Sequence, residues 1–141
     1  MKRVLFVCLG NSCRSQMAEG FARCYGQDVM QAQSAGLAPA GGVAPGTVRA
    51  MTEKNIDISG QFPKALGQFP PGKWDAVVNI SGYPLPTPYE GTAVRQWDVQ
   101  DPMGEDEDVY RRVRDEIERL VMDLILEYRR QEKSARATRK K

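Results

Sequence analysis

This sequence of 141 residues contains no histidine. That excludes Ser-His and Cys-His catalytic pairs and any histidine-ligated metal centre. Cysteine is scarce as well: three residues, an odd number and too few for a disulfide scaffold, which fits a reducing compartment. No stretch approaches the roughly 18 consecutive apolar residues of a membrane span. The apolar run after Met1-Lys2-Arg3 is too short for the core of a signal peptide. A cytoplasmic location with no membrane partner is therefore expected. Acidic residues are missing from positions 133–141. The net charge of +2 thus reflects a basic tail rather than a basic body, and it gives no ground for expecting nucleic acid.

Hydrophobic residues at 41% and charged residues at 27% describe an ordinary globular domain. Residues 2–8 (K-R-V-L-F-V-C) read as a strand buried on both faces. From Arg14 to Tyr25, Met17, Phe21 and Tyr25 fall on one helical stripe, with Cys24 beside it as a core candidate and Gly26 as a stop. A second strand is expected at 29–34, a loop at 36–45 and a helix at 47–54. A third strand is expected at 74–80, a proline-rich loop at 82–91 and a short strand at 93–99. Residues 106–133 carry Val109, Val113, Ile117, Leu120, Val121, Leu124 and Tyr128 at helical spacing. The acidic start and basic end of that segment suit the helix dipole. Alternating strands and helices predict one α/β domain with a parallel sheet over residues 1–133, followed by a disordered basic tail at 134–141.

The chemistry is concentrated in Cys8-Leu9-Gly10-Asn11-Ser12-Cys13-Arg14-Ser15, which follows the first strand and opens into the first helix. A loop in that position aims several backbone N–H groups and the positive end of a helix at one point, a site for a tetrahedral oxyanion. Gly10 is expected to allow the tight turn, and Asn11 tolerates positive φ. Leu9, Gly10, Asn11, Ser12, Cys13, Arg14 and Ser15 are the predicted phosphate-binding residues, with Arg14 as a bidentate clamp. The same groups would stabilise a thiolate at Cys8, and Ser15 is placed to donate to its sulfur. Cys13 has two readings: a small packing residue, or a redox partner that closes a disulfide on Cys8. Asp98 and Asp101 compete as general acid. Asp101 precedes Pro102, which pushes it into extended backbone on a loop. The acidic run 105–108 nearby reads as a favourable helix start.

Residues 4–19 (V-L-F-V-C-L-G-N-S-C-R-S-Q-M-A-E) closely resemble the low-molecular-weight protein tyrosine phosphatase superfamily, which includes one class of bacterial arsenate reductases. Ser34-Ala35-Gly36, the I-D-I-S-G run at 56–60 and Asp101-Pro102 extend the resemblance over most of the chain. It implies a four-stranded parallel sheet flanked by helices, with Cys8 as nucleophile, Arg14 as phosphate clamp and Asp101 as general acid. Gln16, Met17 and I-D-I-S-G look like the reductases, yet 79–91 lacks the two further cysteines of a thioredoxin-coupled relay, with Ser81 at the first expected position. Met103-Gly104 stands where phosphatases place an aromatic residue; Tyr83, Tyr89 and Phe62 are the available substitutes. Asn11, Glu19 and Ser34 match positions at which some relatives bind potassium. The acidic residue expected near Pro63-Lys64 is missing, and no metal is expected.

The sequence is read as a cysteine-dependent phosphatase acting on phosphate monoesters, phosphotyrosine proteins among them, without a cofactor. The alternative is an arsenate reductase using an external thiol such as glutathione, mycothiol or glutaredoxin. A non-catalytic oxyanion-binding module is the reading from another class.

Overall fold

The computed structural model describes residues 1–89 and 93–140. Strands and helices alternate along the chain as β1 (Lys2–Cys8), α1 (Arg14–Tyr25), β2 (Met30–Gly36), α2 (Pro45–Thr52), β3 (Ala76–Asn79), β4 (Val94–Gln96) and α3 (Glu107–Arg139). The strands form one parallel sheet in the order β2-β1-β3-β4, with Cys8 of β1 opposite Gly36 of β2. This is the expected α/β architecture with four parallel strands.

Val4, Phe6 and Cys8 face one side of the sheet, where Met17 and Phe21 of α1, Met51 of α2 and Ile117 of α3 pack on them. Leu5 and Val7 face the other side, covered by Leu66, Trp74 and Tyr89. Cover on both faces explains why β1 reads as a continuous apolar run rather than an alternating one. The three helices share one face; short 3₁₀ turns at Leu66–Gln68 and Thr87–Tyr89 help to close the other.

Several boundaries differ from expectation for local reasons. Asp75 accepts the Arg3 N–H at 2.7 Å and Trp74 donates to Pro70 O, so both finish a turn before β3 begins. α2 starts at Pro45, a residue suited to the first helical position because it has no N–H to leave unpaired. β2 runs on to Gly36, and β4 stops at Gln96 because the chain then turns towards the end of β1. Asp106 caps α3 by accepting from the Val109 N–H. The helix continues past Lys133 to Arg139, so residues 134–139, expected as a disordered tail, are further helical turns in which Glu132 pairs with Arg136 and Arg139. Cys24 is exposed, not core. The end of the expected 82–91 loop, residues 90–92, and Lys141 at the end of the expected tail lie outside the described residues.

Ile117 is fully buried where α3 meets the sheet and α1. Ile117→Ala is expected to lower unfolding free energy by about 2–5 kcal/mol, the usual range for such a truncation, as read by urea denaturation.

Candidate active site

The loop after β1 is shaped by where its carbonyls go. Cys8 O, Leu9 O, Gly10 O and Ser12 O accept from the N–H groups of Leu37, Ala38, Ala40 and Ala44 at 2.8–3.1 Å. Asn11 O accepts from the Gln16 side chain, and Cys13 O from Met17 N in the first turn of α1. In a trans peptide the carbonyl and the following N–H point in opposite directions. Tying these carbonyls outward therefore turns the next N–H groups inward. Among the described residues no backbone N–H from 9 to 15 has a protein acceptor. A ring of buried, unpaired donors at a helix N-terminus calls for an anion.

Asn11 adopts φ 49°, as its residue type predicts. Gly10 does not occupy that region, and a Cβ there would meet only ordinary contacts at 3.7 Å, so the tight-turn role expected of it is not found. Gly36 carries the steric demand instead. A Cβ on it would lie 2.9 Å from Asn11 N and Leu9 O, in the backbone of the loop. Gly36 had appeared only as part of a family-like run; the strand pairing that presses it against the loop is invisible in sequence.

Cys8 and Ser15 are buried, with Cys8 Sγ 2.8 Å from Ser15 Oγ. Asn11 orders this pair. Its Oδ1 accepts from Lys64 N, which leaves Nδ2 to donate to Ser15 Oγ at 2.7 Å. The Ser15 hydroxyl, already accepting, directs its own hydrogen to the Cys8 sulfur. Arg14 is also buried. Its Nη1 donates to Ile80 O (2.6 Å) and Val99 O (3.0 Å), which anchors one side of the guanidinium. Its Nη2 lies 3.6 Å from Asp101 Oδ2.

Asp101 is held in a turn by accepting from Met103 N, and it lines a cavity of about 330 Å³ with Cys8, Cys13 and Arg14. Asp98 does not line that cavity. Of the acidic run, Asp106 caps α3, Glu107 pairs with Arg49 and Asp108 with Arg111. The remaining cavity wall, with Leu9, Gly10, Ala38, Ala40 and Met103, carries no aromatic ring. Tyr89 is buried elsewhere, donating to Leu66 O and Phe69 O. Phe62 and Tyr83 are exposed outside the cavity.

Cys13 stands at the N-cap of α1, with the Thr47 hydroxyl 2.9 Å from its sulfur and 3.2 Å from Ser12 O. Burial pushes its thiol up to about 12 despite that contact. At neutral pH it is a protonated thiol and a weak nucleophile towards Cys8. Glu19, buried on the other side of the loop, takes a hydrogen bond from Ser34 Oγ and pairs with Arg23 and Lys64. Lys64 Nζ, 3.7 Å from Glu19 Oε1, brings its own positive charge to that position. The residues there do not fit a potassium ion.

The arrangement can hold a tetrahedral oxyanion over a thiol, with a guanidinium on one side and a carboxyl group on another. The fold and this loop together define a cysteine-based enzyme that handles oxyanions. Residues 3–84 match the low molecular weight phosphotyrosine protein phosphatase family, to which the chain belongs. It is 38% identical over 128 residues to a glutaredoxin arsenate reductase from Synechocystis sp., covering 89% of this chain and 97% of that protein. A solved arsenate reductase in a phosphate-binding state superposes with TM-score 0.86 at 37% identity, covering 91% of this chain and 99% of the other. An arginine phosphatase from Geobacillus stearothermophilus matches with TM-score 0.79 at 25% identity, covering 95% and 97%.

Gly36→Ala is expected to displace the loop and weaken phosphate binding at least about tenfold (1.4 kcal/mol), as measured by calorimetry. Because the Cys13 thiol stays protonated well above neutrality, iodoacetamide at pH 8 should leave it unmodified in the folded protein while alkylating exposed Cys24. Peptide mapping reads this, and Cys13 should be labelled only after denaturation.

Proposed function

We propose that the protein is an arsenate reductase whose Cys8–arsenic adduct is resolved by a thiol from outside the chain. The observation that carries this reading is the ring of unpaired N–H groups around Cys8, in a cavity with no aromatic wall to flank an aryl ester. The relatives named as arsenate reductases align over nearly the whole chain, and they favour arsenate over the phosphate monoesters that the sequence reading put first.

In this mechanism the N–H groups of residues 9–15 and Arg14 hold arsenate, and the Cys8 thiolate attacks arsenic. An S–As bond forms, an As–O bond breaks, and the oxygen leaves as water, with Asp101 relaying the proton. Ser15 and Asn11 hold the sulfur in line. An external thiol then attacks the Cys8 sulfur. An S–S bond forms, and the S–As bond breaks with its electron pair on arsenic, so As(V) becomes As(III) and arsenite departs. A second thiol reduces the mixed disulfide and restores Cys8. In total, two thiols become one disulfide, one arsenate becomes arsenite, and one water is released.

The outside thiol is required by the surroundings of Cys8. Cys13 is held protonated, Cys24 is exposed outside the cavity, and Ser81 and Tyr83 occupy the loop after β3. A second reading, hydrolysis of phosphate monoesters, is favoured by one observation: Asp101 on the cavity wall beside Arg14 is placed to protonate a leaving alkoxide.

The protein should form arsenite from arsenate with glutathione and glutaredoxin present, inhibited competitively by phosphate. Cys8→Ser should reduce this more than about 1,000-fold, as for loss of a covalent nucleophile. Hydrolysis of p-nitrophenyl phosphate with no arsenite formed would favour the second reading. If that hydrolysis is observed, Asp101→Asn should slow phenyl phosphate, the poorer leaving group, more than p-nitrophenyl phosphate.

A further inference from the structure

We infer that the rim of the Cys8 cavity is a docking surface for a protein thiol, one whose reactive cysteine sits on an apolar surface flanked by lysine or arginine. The inference rests on the arsenate reductase reading and names the kind of thiol that completes it. Among the described residues, six large apolar side chains are exposed: Met1, Leu9, Phe62, Tyr83, Met103 and Leu126. Four of these stand on loops at the carboxyl edge of the sheet, around the cavity. Leu9 and Met103 line its mouth. Phe62 lies on the segment that Gln16 and Asn11 bind beside the oxyanion loop. Tyr83 follows β3, the strand next to β1, in a turn closed by Asn79 and Ser81. Single exposed apolar residues are ordinary on a surface. Four gathered around one cavity mark an interaction site.

Charge narrows the partner. Asp98 and Glu105 at the same edge have no ion-pair partner among the described residues, and Asp101 is half-exposed beside them. The exposed cations of α3, including Lys133, Arg136, Arg139 and Lys140, lie at the opposite edge, near Met1 and Asp28. The molecule is thus acidic around the mouth of its site and basic at the far end. Buried Arg14 and the loop N–H groups serve a small oxyanion inside, whereas the rim repels an anionic small thiol such as glutathione. A protein with a basic flank is attracted and oriented by the same field. Its apolar surface around the cysteine would cover Phe62, Tyr83, Met103 and Leu9 as the sulfur enters the cavity.

The test uses thiol exchange, which needs no arsenate and so fails or succeeds independently of the arsenate reductase reading. In a Cys24→Ser background, Cys8 is converted to its mixed disulfide with 5-thio-2-nitrobenzoate. Release of the chromophore is then followed with reduced glutaredoxin, glutathione or dithiothreitol. Glutaredoxin should react at least tenfold faster than glutathione at equal thiol concentration, and the difference should shrink with added salt. Phe62→Ser/Tyr83→Ser should slow glutaredoxin at least tenfold and leave dithiothreitol within twofold. Asp98→Lys/Glu105→Lys should slow glutaredoxin and remove its salt dependence. Equal rates for glutaredoxin and glutathione, or a glutaredoxin rate unchanged by both double variants, would overturn the docking surface. Absence of arsenite with every thiol tried would instead overturn the reading on which it rests.

Discussion

The site depends on one constraint: the carbonyls from Cys8 to Ser12 are all satisfied on the outside of their loop. Because each peptide is planar and trans, satisfying the oxygen outward commits the next hydrogen inward. The binding site is therefore made by the segment that grips the loop from behind, 37–44, as much as by the loop itself. Anion binding is the complement of that grip. It leaves buried N–H groups that cost free energy until something negative accepts from them.

The side chains of the loop follow from the same constraint. Asn11 takes the one left-handed conformation that closes the ring, and its amide joins Lys64 on one side to Ser15 on the other. Ser15, fixed as an acceptor, can only give its hydrogen to Cys8. Arg14 is anchored by carbonyls at the ends of β3 and β4, so its position records the sheet rather than the loop. The buried charge of Glu19, beneath the same loop, is compensated by Arg23 and Lys64, as a buried carboxylate requires.

Arsenate and phosphate place similar demands on such a cradle. What separates the two chemistries is how the adduct on sulfur is removed, by water or by a second thiol. The chain carries no competent second thiol at Cys8, and the surface around the cavity has the apolar and acidic character of a place where another protein brings one.

By itself, the sequence determined the class of fold, the loop and the residue types that carry the chemistry. The strand–loop–helix order, the C-x5-R-S spacing and the left-handed tolerance of Asn11 are local properties, and local properties survive in one dimension. The position of Asp101 was legible too, because proline constrains its neighbour. The tertiary structure decided what depends on distant segments meeting. Gly36 must lack a side chain because strand pairing brings it against Asn11. Lys64 supplies both a backbone clamp and a counter-charge from a stretch with no recognisable motif. Cys13 is set by its burial against Thr47, and Cys24 by facing away from the packed side of α1. Each of these is a contact between residues well separated in the chain, or the outcome of which face a helix turns inward. Spacing along the sequence alone carries no record of either.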